Sequence, residues 1–173
     1  DGLMLAPIAE FIDIVYQDTA LGNTLVGMTE YGDISMTYRE VADYYLDEIE
    51  RNVVYKWLNR YSGHVVNGVP QTVWQEDSLG LGGYLSGWEK YKDGSRPLPF
   101  NQFLSFGRMM LYLYRASRSS YYSSSNVYSS DDLKYYVEKM ARYFKRKITE
   151  KSSRYYPYFK WGYSTSDGDG VER

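Results

Sequence analysis

The sequence contains no cysteine. This excludes a disulfide framework, a thiol nucleophile and any thiolate-bound metal or iron–sulfur cluster. Histidine occurs once, as His64, so a paired-histidine HExxH site cannot form. Beside Gly63 and Val65, His64 reads as a donor to the last carbonyls of a preceding helix rather than a ligand or a base. Walker A and GxGxxG fingerprints are missing as well, and Gly80-Leu81-Gly82-Gly83 reads as a turn because no lysine follows it. These absences leave a cofactor set of none and a metal set of none. Uncharged apolar runs of about 18 residues are also lacking, which argues against a transmembrane span. No Asn-x-Ser/Thr acceptor occurs. The chain opens at Asp1 without the basic lead of a signal peptide, which reads as a processed or trimmed N-terminus.

What is present is tyrosine, 21 residues against six phenylalanines and four tryptophans. Tyrosine buries large area at the expense of two side-chain torsions and keeps a hydroxyl to satisfy, so the excess suits either partly wet contact surfaces or an ordinary core built with tyrosine. The 173 residues are enough for one hydrophobic core, and one domain is the expectation. The net charge of −2 conceals a division. Residues 1–100 carry 7 Lys/Arg and 15 Asp/Glu, whereas 101–160 carry 12 Lys/Arg and 4 Asp/Glu. Such polarity attracts an anionic polymer to one face, pairs the two halves of the chain, or joins one subunit's acidic face to its neighbour's basic face.

Hydrophobic periodicity predicts a mainly α fold: a compact three- or four-helix bundle with an N-terminal arm and a long irregular insertion. Residues 1–34 read as the arm. Pro7, Ile8, Phe11, Ile12 and Val15 fit a short helix with proline in its first turn, although Phe11–Val15 also fits a strand. Residues 35–161 read as the helical domain. Its first helix, 37–61, opens on a Thr37/Glu40 capping box and repeats Val41, Tyr45, Ile49, Val53 and Trp57 at i+4, with Leu46 and Leu58 broadening the stripe. Residues 64–99, with their glycines and prolines, read as the insertion, with Val65–Val66 and Val73–Trp74 as strand fragments. Asn101 opens a broadly apolar helix through Phe103, Phe106, Met109, Met110 and Leu113. Eight serines within 117–130 mark a loop that Tyr121, Tyr122, Val127 and Tyr128 can anchor. Asp131 and Asp132 open the last helix, 131–149, and residues 162–173 form a tail.

The candidate binding set is cationic and aromatic. Arg108, Arg115, Arg118, Arg142, Lys145, Arg146, Lys147, Lys151 and Arg154 can neutralise phosphates, and Tyr143, Tyr155, Tyr156, Tyr158, Phe159 and Trp161 can stack on bases or form an interface. The plainer alternative is a cationic helix end at a negative dipole, with the tyrosines folded over the core. A hydrolase reading would use Glu76, Asp77 and Glu89 beside Trp74 and Trp88 as paired carboxylates on a glycosidic bond; solvated loop charge explains them more simply. An enzyme is not the expectation, and no residue is assigned a catalytic role.

Taken together, helices 37–61, 101–118 and 131–149, the N-terminal arm, the serine-containing linker and the set Arg108, Arg115, Arg118 and 142–151 resemble the DNA-wrapping major coat proteins of filamentous or rod-shaped archaeal viruses. The resemblance implies a capsid subunit of a virion, with repeated copies, an interlocking arm and enclosure of double-stranded DNA without sequence specificity, sometimes beneath a lipid envelope. The acidic helix 37–61 departs from that pattern. Two alternatives stand beside it: a protein-interaction or cell-surface assembly subunit without nucleic acid, and a small carbohydrate hydrolase.

Overall fold

A computed structural model describes residues 2–29, 32–59, 61–66, 68–76, 79–85, 100–123, 126–147, 149–152 and 157–160, some of them in the backbone alone. The fold is mainly helical, as the periodicity predicts. The helices are α1 (Gly2–Gln17), the single turn α2 (Thr19–Gly22), α3 (Tyr38–Ile49), α4 (Tyr55–Asn59), α5 (Phe100–Ala116) and α6 (Ser130–Lys147). A π-helical turn, Glu50–Val54, joins α3 to α4. Among the described residues the strands form four antiparallel hairpins: β1 (Leu25–Thr29) with β2 (Gly32–Thr37), β3 (Tyr61–Val66) with β4 (Val69–Thr72), β5 (Trp74–Glu76) with β6 (Gly83–Leu85), and β7 (Thr149–Ser152) with β8 (Pro157–Lys160).

The expected arm is a core helix instead. α1 is apolar almost all round, and a helix of that kind is stable only when packed. Ala6, Ala9, Ile12, Val15 and Tyr16 are buried, and α5 covers much of that face. Small residues permit the approach: a Cβ on Gly2 would stand 2.5 Å from the Phe106 amide nitrogen, so only glycine fits there. Pro7 lies within the helix on its solvent side, where water can reach the carbonyl that proline leaves unbonded. α1 and α5 run parallel, because Gly2 meets Phe106, Asp13 meets Arg115 and the Tyr16 carbonyl accepts from Ser119 Oγ. α6 runs antiparallel to α5, with Phe103 against Tyr143 at 6.0 Å and Gly107 against Met140.

Phe103, Met109, Met110, Leu113 and Leu133 are almost wholly enclosed, each contributing about 1.5–3 kcal/mol by leaving water. Helix starts follow local chemistry. Thr37 and Glu40 close the predicted capping box, and the bonds from Thr37 hold the Glu40 carboxyl below its usual range. Ser129 and Asp132 make the equivalent box for α6, with Asp132 lowered by Ser129.

Helix 37–61 buries Leu46, Ile49 and Leu58 of its predicted stripe but differs from expectation in the rest. Ala42, Leu46, Ile49, Glu50, Val54 and Leu58 face inward, while Tyr45 is exposed. An i+4 series drifts by about 40° per step on an α-helix. The wide π-turn takes up part of that drift and keeps the series 42-46-50-54-58 on one side. The helical segment ends at Asn59, and Gly63 and His64 lie in β3 instead of at its cap. The expected insertion also holds more order than predicted, since β3–β6 fall mostly within it.

Candidate interaction surface

The solvent side of α5 carries Leu104, Arg108, Leu111, Arg115 and Arg118, spaced i, i+4, i+7, i+11 and i+14, so they form one stripe. Two of its arginines are already engaged by α1. Arg108 Nη2 lies 3.1 Å from Glu10, and Arg115 Nη2 lies 3.0 Å from Asp13. Both also approach the Tyr112 ring, at 5.6 and 5.7 Å. Asp13 is only 1% exposed; burial raises its carboxyl above the usual range while Arg115 pulls it down.

Arg118 follows at the end of α5, where an open pocket is lined by Gln17, Arg115 and Arg118. Because α1 and α5 are parallel, their negative dipole ends coincide here. The arginines therefore compensate two helix ends, and that potential works against a phosphate. Lys145, Arg146 and Lys147 occupy the last turn of α6, level with the start of α5. The two cationic groups are on the order of 20 Å apart along α5. Arg142 pairs with Glu138 at 3.2 Å, and Lys147 stands over the Tyr143 ring at 5.6 Å. Among the described residues Arg118 and Lys145 have no acidic partner.

The aromatic part of the predicted set divides. Tyr143 is buried against Phe103. Lys151 and Tyr158 are cross-strand partners in the β7–β8 hairpin, and Glu150 faces Phe159. Arg154, Tyr155, Tyr156 and Trp161 lie outside the described residues.

Between α5 and α6 runs an apolar groove of about 290 Å³, floored by Phe103, Gly107 and Met140 and rimmed by Leu104, Leu111 and Phe144. Eight Lys/Arg against three Asp/Glu make α5 and α6 together basic. Nearby, α1 leaves Leu3 and Met4 76% and 79% exposed, with Ile14 half exposed. α3 is the opposite in charge: Glu40, Asp43, Asp47 and Glu48 stand against Arg39, and Tyr44 and Tyr45 project between them. Sequence reading misses the groove, because its walls come from two helices whose facing cannot be read from either alone.

Of the carboxylates in the hydrolase reading, Glu76 lies among the described residues. Glu76 accepts from the Tyr135 hydroxyl and from Lys139 Nζ at 3.0 Å, while Lys139 also donates to the Gly80 carbonyl. Trp74 packs edge-on against Tyr136 at 5.0 Å. Glu76 therefore ties the β5–β6 hairpin to α6, and Asp77, Trp88 and Glu89 lie outside the described residues.

A second polar centre sits where α3 meets the serine-rich connection. Glu50, 1% exposed, has Oε1 2.5 Å from the Tyr122 hydroxyl, and its Oε2 accepts from the Val127 amide at 3.0 Å. The Tyr122 hydroxyl is also 2.6 Å from the Tyr128 carbonyl. On the same connection, the Tyr121 ring centre lies 3.4 Å from the Arg39 guanidinium. The anchoring role predicted for Tyr121, Tyr122, Val127 and Tyr128 thus has a geometric basis.

Among the described residues no helix is long and apolar enough to cross a membrane, and no group of three His, Asp or Glu is placed to hold a metal ion. Comparison with protein-family models, curated proteins and solved structures finds no match for this chain.

Proposed function

We propose that this chain is a structural, self-associating subunit in which the acidic, tyrosine-bearing face of α3 docks into the basic α5–α6 groove of the next copy. The observation that carries this reading is the groove itself: an apolar cleft lined by Arg108 among apolar side chains, between two basic helices, on a molecule whose α3 offers exposed aromatic side chains among carboxylates. A volume near the lower end of ligand pockets suits side-chain knobs better than a large small-molecule ligand. Arg108 and Arg115 are paired with α1 and Arg142 with Glu138, so Lys145 at the end of α6 steers the acids. Because the two faces differ, the contact is heterologous, and repetition gives a ring or an open filament.

A second reading, enclosure of double-stranded DNA in the manner of the archaeal viral coat proteins it resembles, is supported by the cluster Lys145, Arg146 and Lys147 on one exposed turn. An assembled array would repeat that turn along a phosphate backbone, in a virion if the resemblance extends so far. Sedimentation velocity over a range of protein and salt concentrations tests the first reading. Association that weakens with salt and is lost in Leu104→Asp/Leu111→Asp and in Asp47→Lys/Glu48→Lys is the expected result. A monomer at every concentration overturns self-association, while an oligomer indifferent to both variants overturns this pair of faces.

A further inference from the structure

The contacts around Glu50 outnumber the protons that could fill them. Tyr122 has one hydroxyl proton but stands at hydrogen-bond length from two acceptors, Glu50 Oε1 at 2.5 Å and the Tyr128 carbonyl at 2.6 Å. Given to the carboxylate, the proton leaves two bare oxygens facing each other across the second contact. Given to the carbonyl, it leaves the first contact bare unless Glu50 supplies a proton of its own. Only a neutral carboxylic acid balances the set: Glu50 donates from Oε1 to the Tyr122 oxygen, Tyr122 donates to the Tyr128 carbonyl, and Oε2 accepts from the Val127 amide.

We propose that Glu50 is held as the neutral acid and acts as a proton-sensitive latch fastening Tyr122 and Val127 to the π-turn after α3. A charge at this 1%-exposed position would need a partner, and none of the groups bonded to it is a cation. On its own helix Asp47 lies one turn back, and its charge works against a second anion. Arg39, also on α3, faces the Tyr16 and Tyr121 rings instead. From α1 comes Tyr16, whose hydroxyl donates to Asp43 at 2.6 Å. From the connection come Tyr122 and Tyr128, with Tyr55 of α4 and Tyr136 of α6 beside Tyr128. Burial of the carboxyl dominates and raises its pKa, against the lowering effect of the bonds from Tyr122, Val127 and the Tyr128 backbone.

The sign follows. An acid whose folded pKa is raised binds its proton more tightly when folded, so the latch is strongest below the ordinary glutamate range and loosens as pH rises through the raised value. Ionisation places two acceptors on one phenolic proton and repels the Tyr128 carbonyl. The contacts of Glu50 with Tyr122 and Val127 then loosen ahead of the helices.

Carboxyl-detected NMR of the full chain, titrated against the variant Glu50→Gln to assign the signal, tests the protonation state. Amide hydrogen exchange at Val127 from pH 4 to pH 9, corrected for intrinsic rates, tests the latch. Glutamine keeps a donor for Tyr122 and an acceptor for Val127 but has no proton to lose. The expected results are a Glu50 signal titrating above the other glutamates, Val127 protection that falls at least tenfold as it titrates, and protection in the variant that is flat across the range. A Glu50 signal at or below the ordinary glutamate range overturns the proposal, as does wild-type protection that does not change with pH. Should the variant fail to fold, the wild-type signal and its Val127 profile decide the matter alone.

Discussion

Asp13 is enclosed by α1 and α5 with one oxygen facing Arg115 and the other, Oδ1, without a hydrogen-bond partner. A buried carboxylate in that state is tolerated rather than stabilising, since desolvation outweighs the pull of an arginine that is itself more than half in water. Its raised pKa means that folding is best served below the ordinary aspartate range and is penalised as pH rises through the raised value. Asp13→Asn is therefore expected to become more stable relative to the parent as pH climbs from 4 to 8, read from urea midpoints. Arg115→Ala should cost about 1–3 kcal/mol at pH 7, because it strands the carboxylate, and less at pH 4. Equal costs at both pH values would show that Arg115 acts through packing over Tyr112 alone. Nothing in the sequence marks Asp13 as buried: beside Glu10 in an apolar helix, a second acid reads as part of the solvent face, and the parallel α5 encloses it.

The β5–β6 hairpin shows how an element of three-residue strands persists. Trp74 lies against Tyr136 and fills the space above Gly83, and Lys139 reaches both Glu76 and the carbonyl of Gly80, whose φ of 62° belongs to a tight turn. Lys139→Met removes two of these ties while keeping the stem. Faster exchange at the Tyr84 and Leu85 amides is expected, with little change in global stability because the pair is solvated; a large global loss would mean that the hairpin is part of the cooperative core. The long helices are legible because capping boxes and 3.6-residue periodicity are local. The hairpins are not, since Glu76, Tyr135 and Lys139 are about sixty residues apart and no local pattern reveals their bonds. Part of the inward stripe escapes sequence reading for a related reason: the series Ala42, Leu46, Glu50, Val54, Leu58 is interrupted by an acid, whereas the series through Tyr45, which holds the buried Ile49 but exposes Tyr45, looks wholly apolar. The element that resolves the conflict, a π-turn, has no sequence signature.

At the scale of the whole molecule, the division of charge between the first hundred residues and the rest survives in space as an acidic α3 and a basic α5–α6 pair. The sequence reveals the division but not how many cations are already answered within the chain: Arg108, Arg115 and Arg142 are, by Glu10, Asp13 and Glu138. Assembly and DNA enclosure place different demands on what remains. Duplex binding by Lys145, Arg146 and Lys147 is local to the last turn of α6, so Lys145→Gln/Arg146→Gln/Lys147→Gln should leave self-association largely intact and reduce the dependence of DNA affinity on log salt by about 0.9 for each phosphate no longer neutralised. Leu104→Asp/Leu111→Asp should do the reverse, abolishing the oligomer while a weak, salt-sensitive grip on DNA persists in the monomer. A chain that binds no duplex at low salt in either state would restrict those three cations to compensating the end of α6. If both variants instead abolished both properties together, the groove and the helix end would be one surface, and DNA would be the agent that brings subunits side by side.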